Sequence, residues 1–197
     1  MEGNKTGFFA LLSRMRYIGR WGLMRSSIPE NVQEHTCETA VYAHALGIIR
    51  RDVLGRECDA ERLAVLALYH DASEILTGDL PTPIKYHDKK IRSAYKAVEA
   101  AATEKLMGML PPELQGAYAP VLDPKDQDLL TLVKAADKLS ALVKCIEERK
   151  AGNREFASAE SQTRASLEAM DLPEVNWFMD RCLEAFEKNL DELELME

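Results

Sequence analysis

The chain has 197 residues, with a hydrophobic fraction of 46% and a charged fraction of 29%, which suits one well-buried core in a soluble globular protein. No apolar run approaches the ~18 residues of a bilayer span, nothing at the N-terminus marks a secretion signal, and four cysteines (Cys37, Cys58, Cys145, Cys182) without CxxC pairing argue against a thiolate zinc site and a disulfide framework. A formal net charge of −8 disfavours a nucleic-acid polymer as partner, since such binders carry a basic face; a reduced cytoplasmic protein is the plain expectation.

Helical periodicity runs through nearly the whole chain and convincing strand alternation is absent, so the expected fold is a single all-α domain over 1–197 with roughly six to eight helices. Phe8, Leu11, Leu12 and Met15 form one stripe of a first helix. Gly19, Gly22 and Pro29 make 19–30 a loop. In the second helix His35, Thr39, Tyr42, Leu46 and Ile49 follow at helical intervals, so His35 begins the inward stripe. Asp59 is the N-cap of a third helix, with Leu63, Leu66 and Ala67 inward. Continued into Leu68-Tyr69-His70-Asp71-Ala72-Ser73-Glu74, that helix carries His70 and Glu74 on its buried face one turn apart, with Asp71 beside them. Gly78-Asp79-Leu80-Pro81-Thr82-Pro83 is loop, because its prolines forbid a helix.

A fourth helix runs from near Asp88 to Met109, stopped by Pro111-Pro112, and a short helical turn precedes Pro120 and Pro124. A fifth spans about 126–151 and ends at Gly152-Asn153. Two more cover about 154–170 and 174–193, divided by Asp171-Leu172-Pro173. Leu130, Val133 and Asp137 align on the fifth helix, so a carboxylate interrupts an apolar face. Charge is uneven: Lys5, Arg14, Arg16, Arg20 and Arg25 face Glu2 alone in the first 25 residues, while the tail from Glu187 is acidic. A small anion could find a positive site near the front, although two solvated helix faces would look the same.

His35, His70, Asp71, Glu74 and Asp137 are therefore ionisable groups on inward stripes of three helices. Any one of them has an ordinary explanation as a hydrogen-bonded core residue, a cap or an ion pair. Together they are costly unless a metal, an ion pair or a substrate compensates them. Two imidazoles and two carboxylates without sulfur suit a divalent ion such as Mn, Fe, Co, Ni or Zn. An ion with coordination to spare lowers the pKa of water, which points to hydrolysis. His44 lies opposite His35 around its helix and reads as structural, Cys37 reads as packing, and His87 sits just outside a helix with no evident partner.

The adjacent His70-Asp71, with His35 upstream and Asp137 downstream, resembles the signature of HD-domain metal-dependent phosphohydrolases. The strings Glu30-Asn31-Val32-Gln33-Glu34-His35, Tyr69-His70-Asp71-Ala72-Ser73-Glu74 and Gly78-Asp79-Leu80-Pro81-Thr82-Pro83-Ile84-Lys85, with Arg20-Trp21, narrow the resemblance to the bacterial 5'-deoxynucleotidases. It runs from about Phe8 to the C-terminal helix. It implies hydrolysis of deoxyribonucleoside 5'-monophosphates to deoxyribonucleoside and phosphate, with one divalent transition metal per chain on His35, His70, Asp71 and Asp137. It further implies that Arg20 orients the phosphate, that Glu74 acts as acid/base or positions water, and that Asp79, Leu80, Pro81 and Thr82 lie beside the substrate. Trp21 would sit near the sugar, although the residue alone reads as a loop or core anchor, and Asp79 alone as a turn residue. A homodimer is the form the resemblance implies. Two alternatives stay open: hydrolysis of another phosphate ester (a cyclic nucleotide, a nucleoside triphosphate or an alarmone), and a catalytically silent metal-containing sensor or scaffold.

Overall fold

The computed structural model describes residues 6–85 and 87–194, and among them the chain is all-α, its one β pairing an isolated antiparallel bridge between Gly19 and Asn31. Glu2, Lys5 and Glu197, part of the expected charge asymmetry, lie outside the described residues. In chain order the helices are α1 (Phe8–Leu12), α2 (Val32–Ile48), α3 (Ala60–Tyr69), the one-turn α4 (Glu74–Thr77) and α5 (Thr82–Lys85), α6 (Lys89–Gly108), α7 (Pro112–Leu122), α8 (Gln127–Lys150), α9 (Ala157–Glu168), α10 (Pro173–Cys182) and α11 (Leu190–Glu194). No helix among the described residues is long and apolar enough to cross a membrane.

Side-chain caps set the starts of the long helices. Asn31 opens α2 with a capping box, its side chain accepting from the Glu34 amide at 3.0 Å while the Glu34 carboxylate accepts from the Asn31 amide at 3.3 Å. Asp59, Asp88 and Asp126 accept from first-turn amides of α3, α6 and α8. Past α8 the chain turns at Gly152 with φ 84°, a conformation that favours glycine.

The main core is the junction of α2, α3 and α8, with Leu46, Leu63, Leu66, Leu132, Leu139, Leu142 and Ile146 buried among them, and α9 and α10 closing it with Leu167, Val175 and Phe178. α2 and α3 approach closely at Gly47, where a Cβ would lie 2.8 Å from the Cα of Ala60; any larger residue forces the two helices apart. A smaller cluster of Phe8, Ala72, Leu106 and Leu110 seats α1 and α6 against the segment after α3. The two frames meet at residues 70–74.

Three expectations need correction. α7 passes through Pro120 instead of ending before it. The carbonyl that loses its partner belongs to Gly116, and both residues are exposed, so water replaces the missing bond. The last predicted helix breaks: α10 stops at Cys182, a 3₁₀ turn covers Leu183–Glu187, and α11 starts anew. Lys150, from the end of α8, donates to the Phe186 and Lys188 carbonyls at 3.0 and 2.7 Å, satisfying groups that a continuous helix would have used itself. Cys37 is exposed and is not a packing residue: α2 buries Thr36, Thr39 and Ala40, and Cys37 falls on the outward side.

Candidate active site

α2, the end of α3 and α8 bring His35, His70, Asp71 and Asp137 together. His35 Nε2 lies 3.1 Å from Asp137 Oδ1 and 3.7 Å from Asp71 Oδ2, and His70 Nε2 lies 3.2 Å from the same Asp71 oxygen. Ligand atoms of His35, His70 and Asp71 all fall within 4.8 Å of one another. Donors about 2.1 Å from a shared ion stand roughly 3 to 3.5 Å apart, so these spacings suit a divalent cation.

Proton placement supports the same fit. His70 Nδ1 faces the Ala67 carbonyl at 2.6 Å; a carbonyl only accepts, so Nδ1 carries a proton and Nε2 is the nitrogen free to bind a cation once the ring is neutral. That buried Nε2 stands 3.2 Å from Asp71 Oδ2 without an aligned hydrogen bond among the described residues, a position that a shared metal would fit. As protein groups alone, the charges stabilise one another. Burial lowers the His70 pKa, but Asp71, Asp137 and the Ala67 carbonyl together push it up to about 9. Burial works against the Asp71 carboxylate, yet His70, His35 and Arg20 hold it well below the usual range. Asp137 is lowered in the same manner, against burial, mainly by His35.

The α-helix expected to run through His70 and Glu74 ends at Tyr69, and residues 70–73 form turns with tighter bonds: Ala72 N to Tyr69 O at 3.1 Å and Glu74 N to Asp71 O at 2.9 Å. The His70 ring takes the Ala67 carbonyl that an α-helix would offer to the Asp71 amide, a local side-chain bond competing with helix continuation. Glu74 starts α4 and is 5% exposed. Its Oε2 lacks a partner among the described residues. Burial, then repulsion from Asp71 and Asp79, pushes its pKa up to about 9 against the pull of Arg20 and Lys85, which makes it a proton carrier near neutral pH.

Arg20 and Trp21 arrive from the loop between α1 and α2. The guanidinium Nη1 is 3.5 Å from Asp71 Oδ2. Burial opposes its charge, but Asp71, Glu30, Asp137 and Asp79 raise its pKa overall. Glu30 organises the pair: one oxygen, Oε2, accepts from Arg20 Nε at 2.9 Å and from the Trp21 indole at 2.7 Å. Trp21 has φ 61°, a strained backbone for a bulky residue, and its ring leans on Phe156 at 5.1 Å. The backbone closes the same loop, with Arg20 N donating to Glu30 O and Val32 N to Ile18 O, both at 2.9 Å. Trp21 is thus firmly anchored beside Arg20.

The far end of this loop is fastened to α8. Glu148, 1% exposed, accepts from the Ser27 and Ile28 amides, from Lys144 Nζ at 2.6 Å and from Asn153 Nδ2 at 2.8 Å. Lys144 donates to the Ile28 carbonyl at 2.6 Å and Asn153 to the Arg25 carbonyl at 2.7 Å. With its partners complete, this buried pair fixes the loop without leaving an unmatched charge. Sequence reading gave no role to Glu30, although the residue stands in the Glu30–His35 string, and passed over Lys144 and Glu148, whose neighbourhood in the chain includes Glu147, Arg149 and Lys150.

The Gly78–Pro81 segment brings Asp79 within electrostatic reach of Arg20, Asp71 and His35. Gly78 has φ 72°, its carbonyl accepts from the Tyr95 hydroxyl at 3.2 Å, and Asp79 is half-buried with its pKa raised by burial, against the influence of Arg20. Leu80 and Pro81 follow, also half-buried. The prolines do not keep the whole segment extended: Thr82, described in its backbone alone, opens α5, and Pro83 sits in a first turn where no amide is needed. His44 and His87 are both exposed and take no part.

A family described as 5'-deoxynucleotidase YfbR-like matches residues 7–186. Proteins named 5'-deoxynucleotidase YfbR are 47% identical in Shigella boydii serotype 18 and 48% identical in Escherichia coli O1:K1 / APEC, each over 188 residues and 94% of both chains. Among solved structures, an HD-domain phosphohydrolase from Listeria innocua superposes with a TM-score of 0.80 at 24% identity, covering 95% of this chain and 90% of that one. The cyanophage S-2L HD phosphohydrolase DatZ, described as bound to dA and one catalytic Zn2+ ion, gives 0.62 at 21% identity over 93% and 96%.

Proposed function

The chain belongs to the YfbR-like 5'-deoxynucleotidase family, and on that premise we propose that it hydrolyses deoxyribonucleoside 5'-monophosphates at the cluster of His35, His70, Asp71 and Asp137. The observation that carries this is the buried, unpartnered His70 Nε2 converging with His35 on Asp71, with an arginine at the edge of the same group. Those four residues would hold one divalent ion, with Zn, Co, Mn, Fe and Ni all suited to the donor set. When bound, the ion supplies an activated water and offsets phosphate charge.

The rest is the work of side chains. Arg20, held from behind by Glu30, keeps its terminal nitrogens for the phosphate oxygens, a planar fork matched to that geometry. Glu74, protonated near neutral pH, gives its proton to the departing 5'-oxygen, so the deoxyribonucleoside leaves as an alcohol and not an alkoxide. Asp79, with Leu80, Pro81 and Thr82, forms the wall against the sugar. Trp21, rigidly placed by Glu30 and Phe156, occupies the space that a 2'-hydroxyl would need. We further propose that 1–197 folds as one HD-type domain and works as a cytoplasmic homodimer.

Turnover of a nucleotide panel tests the proposal. Chelator-stripped protein should be inactive and regain phosphate release from deoxyribonucleoside 5'-monophosphates when a divalent metal is restored. Faster turnover of cyclic nucleotides or triphosphates would redirect it to another phosphate ester, and no turnover of any of them in metal-loaded protein would make the site a silent one.

A further inference from the structure

Behind His35 a chain of hydrogen bonds joins α2 to α8. Ser140 Oγ stands 3.0 Å from His35 Nδ1 and donates to Glu38 Oε2 at 2.5 Å, and the Tyr42 hydroxyl donates to Glu38 Oε1 at 3.0 Å. His35 and Ser140 are fully buried and Tyr42 nearly so. Burial and the adjacent Glu38 raise the Tyr42 pKa, which keeps this phenol a donor.

A serine hydroxyl has one proton. Ser140 commits it to Glu38, so it meets His35 only as an acceptor. The ring must then carry a proton on Nδ1, so Nε2, the nitrogen that Asp71 and Asp137 face, is the one left to a cation. Thr39 Oγ1, 3.4 Å from Nε2, is at the outer limit of a hydrogen bond and leaves that nitrogen available. His70 reaches the same state through a backbone carbonyl, which no side-chain change can reverse. His35 has no such carbonyl partner: its acceptor is a hydroxyl that could rotate and donate, unless something holds the hydroxyl proton away.

We propose that Glu38 is a positioning residue for the metal site, acting through Ser140 to lock His35 in the tautomer that presents Nε2. This rests on His35 being a metal ligand. Glu38 itself bonds Ser140 and Tyr42, not the ligand cluster. Partners that orient ligating histidines typically contribute about 10–100-fold to metal affinity, which sets the size of the expected effect.

The test uses the full chain, zinc as probe, and nitrogen-15 spectra of the histidine rings, of which there are four, with His35 assigned by substitution. In wild type, His35 should show Nδ1 protonated and Nε2 coordinated. Glu38→Ala should weaken zinc binding by about 10–100-fold in chelator competition and, by freeing the Ser140 hydroxyl to donate, cost part of the metal-free population its Nδ1 proton. Glu38→Gln keeps an oxygen for Ser140 and turns its amide N–H to the Tyr42 oxygen, so it should restore both readouts. Ser140→Ala should weaken binding as Glu38→Ala does, and the double variant no further, because Glu38 acts through Ser140. Unchanged zinc affinity and tautomer in Glu38→Ala overturn the proposal, as do additive losses in the double variant. Should Glu38→Ala not fold, the wild-type spectrum decides: zinc on His35 Nδ1 overturns it outright. Failure of wild type to bind zinc would instead sink the underlying metal-site reading, and the metal-free spectra keep the two failures apart.

Discussion

Glu74→Gln should make this protein more stable near neutral pH while disabling it. Burial and the nearby carboxylates move the Glu74 pKa from 4.5 in the free residue to about 9 in the fold. A raised folded pKa means that the proton binds more tightly in the native state; the associated stability is complete below the unfolded value and is lost as pH climbs toward the folded one. Near pH 7 the unfolded chain has gained about 2.5 pH units of ionisation that the fold withholds, equivalent to about 3 kcal/mol at ~1.4 kcal/mol per unit. Glutamine is the neutral isostere and escapes that penalty. For a chain of this size, ~3 kcal/mol corresponds to about 6–12 °C in Tm. The assay is thermal unfolding of chelator-stripped wild type and Glu74→Gln from about pH 4 to pH 8. The two curves should coincide at the acid end and separate steadily above it, with the variant higher, while kcat of the metal-loaded variant falls about 10²–10⁴-fold. Parallel curves, or a variant less stable near neutrality, would refute the idea that Glu74 is buried as an acid.

Asp137→Ala should lower metal content by at least tenfold, as removal of a ligand should, while the stripped protein still folds, because the side chain is 37% exposed; elemental analysis and circular dichroism check both halves. Trp21→Ala should narrow the ratio of kcat/KM between matched deoxy and ribo 5'-monophosphates, and Glu30→Ala should do the same while also costing about 10–100-fold in kcat/KM, since one carboxylate oxygen holds both Arg20 and Trp21. An Arg20-only effect in Glu30→Ala would separate the two functions. Glu148→Gln breaks a buried ion pair and should cost about 3 kcal/mol near pH 7. Burial opposes ionisation, but Lys144, Asn153 and the Ser27 and Ile28 amides hold the Glu148 pKa below its ordinary 4.5, so the wild-type advantage should shrink only as pH falls below that value.

The sequence made the clustered ionisable residues legible for a specific reason. His35 and Asp137 sit on long helices whose apolar stripes are regular, so an ionisable residue on the stripe is visible as an exception. The helix starts at Asp59, Asp88 and Asp126 were readable because a cap is a local device. What stayed hidden depends on distance along the chain. Lys144 and Glu148, four residues apart, gave no signal of their own; the returning 25–28 segment covers them. Glu30 holds Arg20 and Trp21 through a loop closure that no periodicity announces. The turn at 70–73 was misread as helix because the bond that stops the helix belongs to the His70 side chain, and Cys37 was misplaced because it adjoins buried positions without sharing their direction.

α8 carries Asp137 and Ser140 near its middle and Glu148 near its end, about 16 Å apart at 1.5 Å per residue. One rigid rod therefore grips the metal end of the site and, through the 25–28 segment, the root of the Arg20–Trp21 loop. Among the described residues, Gly78 and Asp79 have no such tie to α8; a tyrosine hydroxyl from α6 steadies them. The two sides of the site are thus held differently, one fastened to a rigid helix and the other hung from α6. In hydrogen exchange, the amides of Ser27 and Ile28 should open together with α8 as one cooperative unit, ahead of which the Gly78 wall can open on its own.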